Sequence, residues 1–142
     1  MTSSLRAAAQ VLLVAFLILA GTAHLSFART EFQAQVPPWL PLDADLVVVV
    51  SGVVEIICGA ALLISWRHPR RALVGIAVAV LFVAVLPGNI AQLTERRDAF
   101  GLTSDTSRAV RLLFQPVLVL WALWCTDVVQ WWRTRPRARH RD

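Results

Sequence analysis

The segment LVVVVSGVVEIICGAALLI, residues 46–64, contains a single carboxylate, Glu55, near its centre. A helix needs about 20 apolar residues to cross the hydrocarbon core of a bilayer, so this segment predicts a transmembrane helix. A carboxylate at that depth is costly in lipid and almost always faces protein or a water-filled cavity. Ser51, Gly52 and Gly59 lie on or beside the Glu55 face at helical spacing. Since small residues let a neighbouring helix approach closely, other helices are expected to surround Glu55.

The composition indicates a membrane protein built as one domain. The 142 residues are 57% apolar and 16% charged, which is too hydrophobic for an ordinary soluble domain. The net charge of +5 comes from arginines without a lysine. Because these arginines cluster beside apolar runs, the positive-inside rule explains them better than nucleic-acid binding does. We therefore expect the lipid bilayer, and no nucleic acid, as a partner.

Four apolar runs predict the fold class, an all-α integral membrane four-helix up-down bundle. The helices are expected at about 6–24, 46–65, 72–93 and 109–130, which together form a transmembrane domain over residues 1–130. The third run reaches bilayer length only if it continues past Pro87 and Gly88, which are expected to kink its far end. Residues 131–142 form a basic tail that is expected to be cytoplasmic and disordered.

The arginine distribution also predicts the orientation of the bundle. Residues 65–71 and the tail are strongly basic, whereas the loops 24–45 and 94–107 are not. Both the N- and C-termini are therefore expected to be cytoplasmic. Residues 6–23 also fit a secretory signal peptide, and its cleavage would leave the other three orientations unchanged.

Polar residues are concentrated in the outer half of the predicted bundle. Each helix places a polar group there, while the inner half is almost entirely aliphatic. This asymmetry predicts a polar pocket that is open outward and closed inward, with Glu55 at its floor. The residues expected to line the pocket or relay protons are Glu55, His24, Asn89, Arg111 and Gln115.

Simpler roles for these residues remain open at this point. Asn89 and Gln115 fit interhelical hydrogen bonds that only hold the bundle together. His24 fits a solvated position at the interface, and Arg111 fits either a charge partner of Glu55 or a solvated arginine near a helix end. The cysteines, residues 58 and 125, lack metal-ligand spacing and are expected to be reduced, buried and free of metal.

The chain resembles the DoxX-like family of small four-helix bacterial membrane proteins from about residue 21 to residue 125. The resemblance rests on five short motifs in the expected order: Gly21-x-x-His24; Val36-Pro37 with Leu40-Pro41; Ser51-Gly52-Val53-x-Glu55-x-x-x-Gly59; Pro87-Gly88-Asn89-Ile90; and Arg111-x-x-x-Gln115. It implies a multi-pass protein of the bacterial plasma (inner) membrane. The family takes its name from a membrane subunit linked to thiosulfate oxidation with quinone reduction.

The resemblance implies a quinone-linked or redox-complex accessory subunit, with quinone as the cofactor and a redox protein as the partner. The sequence contains no haem ligand pair and no flavin fingerprint, so independent catalytic activity is not expected. Two alternatives remain: a small proton-coupled transporter that uses Glu55, and a structural bundle that docks partners through its basic tail. Four helices are few for alternating access, so a transporter would need to form a homo-oligomer.

Overall fold

The computed structural model describes residues 2–134, and the fold in this part of the chain is all-α, as predicted. The helices are α1 (Thr2–Leu25), α2 (Arg29–Gln33), α3 (Ala44–Ile64), α4 (Arg70–Ala84), α5 (Leu86–Thr94), α6 (Asp105–Cys125) and α7 (Val128–Thr134). Four spans are long and apolar enough to cross a membrane: Ser3–Leu25, Ala44–Ile64, Arg70–Thr94 and Asp105–Cys125. The prediction of a multi-pass membrane bundle is therefore confirmed.

Two helices differ from the predicted bounds for reasons visible in the backbone. The third span breaks at Val85, where α4 ends, and α5 begins with Pro87 in its first turn. The fourth helix was predicted to reach residue 130 but ends at Cys125. Asp127 then adopts a left-handed φ of 61°, which interrupts the helix before α7. Most of the predicted basic tail, residues 135–142, lies outside the described residues.

Side-chain caps begin two of the membrane-spanning helices at the same end of the bundle. Asp43 accepts a hydrogen bond from the backbone N–H of Leu46 at 2.9 Å, and Ser104 accepts one from Ser107 at 3.2 Å. Such caps satisfy backbone donors that have no partner in the first helical turn. We call this end, which carries segments 26–43 and 95–104, the cavity end. The opposite end, which carries residue 2, segment 65–69 and α7, is the basic end.

The four long spans are arranged as a square. Helix α1 packs against α3 and α6, and α4 packs against the same two helices, so α3 and α6 stand diagonally opposite each other. The apolar core fills the half of this square nearer the basic end. Its buried members are Leu13, Val14, Leu17, Leu62, Val78, Ala79, Phe82, Ala122 and Cys125.

A polar network closes the basic end and joins all four spans. Gln10 of α1 donates to the carbonyl oxygens of Leu62, at 2.9 Å, and Ser65, at 3.2 Å. Arg71 of α4 donates from Nε to Gln10 Oε1 at 2.8 Å and from its terminal nitrogen to the Cys125 carbonyl at 2.7 Å. These two side chains thus satisfy helix carbonyls that would otherwise lack partners.

Helices α1 and α3 approach each other closely through two glycines. A Cβ atom on Gly21 would lie 2.6 Å from the carbonyl oxygen of Gly52, and one on Gly52 would lie 2.7 Å from His24 Cβ. Only glycine leaves room for this contact, because the obstructing atoms include backbone. The crossing brings the His24 turn of α1 beside the Glu55 turn of α3.

Candidate functional site

A cavity of about 590 Å³ occupies the half of the bundle nearer the cavity end. Its walls come from α1, α3, α4, α5 and α6, and its roof comes from α2, segment 35–40 and Phe100. The lining is mainly apolar and includes six aromatic rings: Phe16, Phe32, Trp39, Phe82, Phe100 and Phe114. An apolar cavity of this size with a few polar groups is typical of a site for a small organic molecule.

All five residues predicted to line a pocket do line this cavity. They are His24 on α1, Glu55 on α3, Asn89 on α5, and Arg111 and Gln115 on α6. Asn89 is 5% exposed and Glu55 is 7% exposed, so both polar side chains are buried in the protein. The lining also contains two further polar residues, Gln35 and Ser51.

His24 and Glu55 are in contact at one wall of the cavity. His24 Nδ1 lies 2.8 Å from the carbonyl oxygen of Ala20 and 3.1 Å from Glu55 Oε2. The geometry of a hydrogen bond is met only toward Ala20, so the Nδ1 proton is directed there. Glu55 Oε2 remains without a hydrogen-bond donor although it lies within ion-pair distance of the imidazole.

Arg111 is not the charge partner of Glu55, so that alternative is wrong. In the described part of the chain no carboxylate lies within ion-pair distance of Arg111. Its guanidinium instead lies 4.6 Å from the ring centroid of Phe100, a cation–π contact. The reason is helix order: Arg111 is on α6, which lies diagonally across the bundle from α3.

Aromatic rings join His24 to Arg111 across the roof. The rings of His24 and Phe32 are stacked, with centroids 3.4 Å apart and an interplanar angle of 15°. Phe32 contacts Phe100 edge-on, with ring centroids 4.7 Å apart, and the Arg111 guanidinium lies over the ring of Phe100. This chain of contacts connects the His24 imidazole to the Arg111 guanidinium through two phenylalanine rings.

Ion pairs and hydrogen bonds fasten the roof to the bundle. Arg29 of α2 forms a bidentate pair with Asp45 of α3, and Gln33 donates to the same carboxylate at 2.8 Å. The hydrogen bonds to Asp45 raise the pKa of the Arg29 guanidinium, which is charged at every physiological pH. Arg97 donates to the carbonyl oxygens of Ala34 and Val36 and so holds segment 34–36 against the second loop.

Several polar atoms that face the cavity have no partner within residues 2–134. Glu55 Oε2 and Gln115 Oε1 are buried without a hydrogen bond. The Asn89 side chain is buried and also makes none. Leaving such a group unpaired in a protein interior costs on the order of 1–3 kcal/mol. A cluster of them around one cavity marks it as the place where a ligand or water would supply the partners.

The aromatic roof and the polar network at the basic end were not predicted from the sequence. Phe32 and Phe100 lie in mixed polar segments, and only their aromatic character in otherwise hydrophilic loops distinguishes them. Gln10 interrupts an apolar run, which was a signal that it bonds inside the bundle. Cys58 and Cys125 are free, but only Cys125 is fully buried, so the expectation that both are buried is wrong for Cys58.

Comparison with known proteins gives a family but no activity. A family model described as a domain of unknown function, DUF8561, matches residues 13–126. This region runs from the middle of α1 to the end of α6 and contains every cavity-lining residue. No curated protein and no solved structure matches the chain.

Proposed function

The chain belongs to the DUF8561 family, and we propose that it binds a lipid-soluble small molecule with a polar head, a quinone being the first candidate. The observation that carries the proposal is the set of unpartnered polar atoms around an apolar cavity. Because the carboxylate and amides must find partners somewhere, the polar head of a ligand is placed among them, and its apolar part lies against the aromatic lining.

The arrangement of the helices supports entry of the ligand from the bilayer. No Cα atom of α3 lies within 8 Å of one in α5, although both helices line the cavity. On the other side of the bundle, Phe16 and Phe114 line the cavity and are also 40% and 59% exposed. Rings that face both the cavity and the lipid are expected at a lateral opening.

The packing of the other half favours binding over transport. The apolar core and the Gln10–Arg71 network fill the bundle between the cavity and the basic end. Transport would require these tightly packed groups to separate. We therefore propose an accessory protein that holds its ligand, and we assign Glu55 and His24 to contacts with the polar head of that ligand. Its proposed location is the inner membrane of a bacterium, with both termini cytoplasmic.

A pair of phenylalanine substitutions on one helix tests the proposal. Ser51→Phe places a ring in the cavity, whereas Val53→Phe places the same ring on a lipid-exposed position two residues away. Both purified proteins are titrated calorimetrically in nanodiscs with a decyl-chain benzoquinone and with its hydroquinone. We expect the parent and Val53→Phe to bind at least one of the two, and Ser51→Phe to bind neither. Equal binding by both variants contradicts the proposed site.

The natural ligand is sought in the same preparations. Lipophilic molecules extracted from the parent protein after purification in mild detergent are compared by mass spectrometry with those from Ser51→Phe. A molecule that accompanies the parent and Val53→Phe, and is lost from Ser51→Phe, is the expected result.

A further inference from the structure

Two buried polar atoms on the deep walls of the cavity have no hydrogen-bond partner in the described residues, and both are acceptors. Glu55 Oε2 and Gln115 Oε1 are buried and receive no hydrogen bond. At a rise of 1.5 Å per residue, each lies roughly 15 Å from the first residue of its helix at the cavity end. Since α3 and α6 stand diagonally opposite, the two acceptors sit on facing walls at similar depth.

We propose, building on the proposed function, that the site selects the reduced hydroquinone form of its ligand over the oxidised quinone. A quinone ring offers two carbonyl oxygens, which accept hydrogen bonds and donate none. It therefore cannot donate to Glu55 Oε2 or to Gln115 Oε1, the two buried oxygen atoms that lack a donor. A hydroquinone carries two hydroxyl groups on opposite sides of the ring, one donor for each wall.

The donors in the cavity are compatible with the same head. Arg111 and Asn89 line the cavity without hydrogen-bond partners in the described residues. Each hydroxyl oxygen keeps lone pairs after donating its proton, so it accepts from such groups as well. A hydroquinone can thus satisfy donors and acceptors together, whereas a quinone can satisfy only the donors. Sites with buried acceptors reject analogues that lack the matching donor, because those acceptors are then left unpaired.

The specificity-determining residues in this proposal are Glu55 and Gln115. Glu55→Gln replaces one oxygen of the carboxyl group by an NH2 group of the same size, which can donate to a quinone carbonyl. Gln115→Leu removes the facing acceptor. Gln130→Leu is the control, because Gln130 is a glutamine of α7, at the opposite end of the bundle, that does not line the cavity.

The test is anaerobic calorimetric titration of each protein in nanodiscs with decyl-benzohydroquinone and decyl-benzoquinone. The parent and Gln130→Leu are expected to bind the hydroquinone about tenfold or more tightly than the quinone. Glu55→Gln and Gln115→Leu are expected to reduce that ratio by about threefold or more. Circular dichroism confirms that each variant is folded.

The outcomes separate this inference from the proposed function. Equal affinity of the parent for both forms, or tighter binding of the quinone, overturns the selectivity and leaves the binding function standing. An unchanged ratio in both Glu55→Gln and Gln115→Leu overturns the assignment of the two acceptors. Failure of the parent to bind either form overturns the proposed function and this inference together.

Discussion

Buried polar side chains at the two ends of the bundle differ in their hydrogen bonding. At the basic end, Gln10 and Arg71 use their amide and guanidinium groups to bond three helix or loop carbonyls and each other. At the cavity end, Glu55 and Gln115 are buried with acceptor atoms left unpaired. Both ends therefore carry polar groups inside an apolar bundle. The Gln10–Arg71 network satisfies its groups within the protein, although Arg6 Nε at the same end is unpaired, whereas the two buried acceptors that face the cavity have no partner in the described part of the chain.

This difference separates structural from functional polarity. A buried polar group that is fully bonded adds specificity and stability to a bundle, so the Gln10–Arg71 network needs no role beyond holding four helices together. A buried polar group without partners lowers stability, and it is retained where a ligand or a reaction requires it. The chemical character of a residue type does not decide between the two, since each end contains a glutamine and an arginine.

The largest expected effect comes from exchanging a glutamine for leucine at each end of the bundle and comparing the two variants. Gln10→Leu removes three hydrogen bonds and leaves Arg71 Nε and two carbonyl oxygens without their partner, so it should lower the free energy of unfolding by on the order of 3 kcal/mol. Gln115→Leu removes an atom that has no partner and should change stability by less than about 0.5 kcal/mol. Thermal unfolding in one detergent, followed by circular dichroism, measures both. A loss of stability in Gln115→Leu as large as that in Gln10→Leu contradicts the distinction between the ends.

The second effect concerns the glycine contact that places His24 beside Glu55. Gly21→Ala puts a methyl group against the backbone carbonyl of Gly52, which cannot move without separating α1 from α3. We expect a loss of about 2 kcal/mol in stability. Gly59→Ala, the control on α3, meets the flexible end of the Ile18 side chain and should cost clearly less.

The same pair of variants reports on the site. Separation of α1 from α3 moves His24 away from Glu55, so Gly21→Ala should also weaken binding of the decyl-benzohydroquinone, whereas Gly59→Ala should not. If the two alanine variants prove equally stable and bind equally well, the close crossing does not position the cavity.

The position of the cavity could be predicted because counting residues gives both the depth of a side chain in the membrane and the side of the helix on which it lies. The polar residues of each apolar run could be placed on the same half of the membrane by counting residues from a helix end. That reasoning brought Glu55, His24, Asn89, Arg111 and Gln115 into one region, and the structure places all five on one cavity.

The partners of these residues could not be predicted in the same way. Which side chain meets Glu55 depends on the order of helices around the bundle, and an arginine and a histidine are equally suitable by charge. The glycine crossing places α1 beside α3, so His24 and not Arg111 reaches the carboxylate. The roof was missed because loop segments such as 29–36 have no periodicity from which a facing side can be read.

A third, smaller effect on stability is expected at Glu55. Glu55→Gln preserves size and leaves the His24–Ala20 hydrogen bond intact, so the free energy of unfolding should change by less than about 1 kcal/mol. Affinity for the decyl-benzohydroquinone should nevertheless fall by about threefold or more, because one acceptor oxygen is replaced by an NH2 group. If Glu55→Gln unfolds at a much lower temperature than the parent, Glu55 is a structural polar residue like Gln10.

The smallest perturbation tests accessibility at the two ends directly. Ser51→Cys exchanges one oxygen for sulfur on a residue that lines the cavity, and it should leave stability unchanged. In a Cys58→Ala background, Cys125 is the other thiol, and it is fully buried in the core near the basic end. Since a thiol must be reached to react, N-ethylmaleimide should modify the cysteine at position 51 in the folded protein and leave Cys125 unmodified until unfolding. Peptide mass spectrometry measures both sites in one sample.

The decyl-benzohydroquinone should slow the reaction at position 51, because it occupies the cavity that the reagent enters. Reaction of Cys125 at the same rate would mean that the packed core opens as readily as the cavity, and the contrast between the two ends would then be lost.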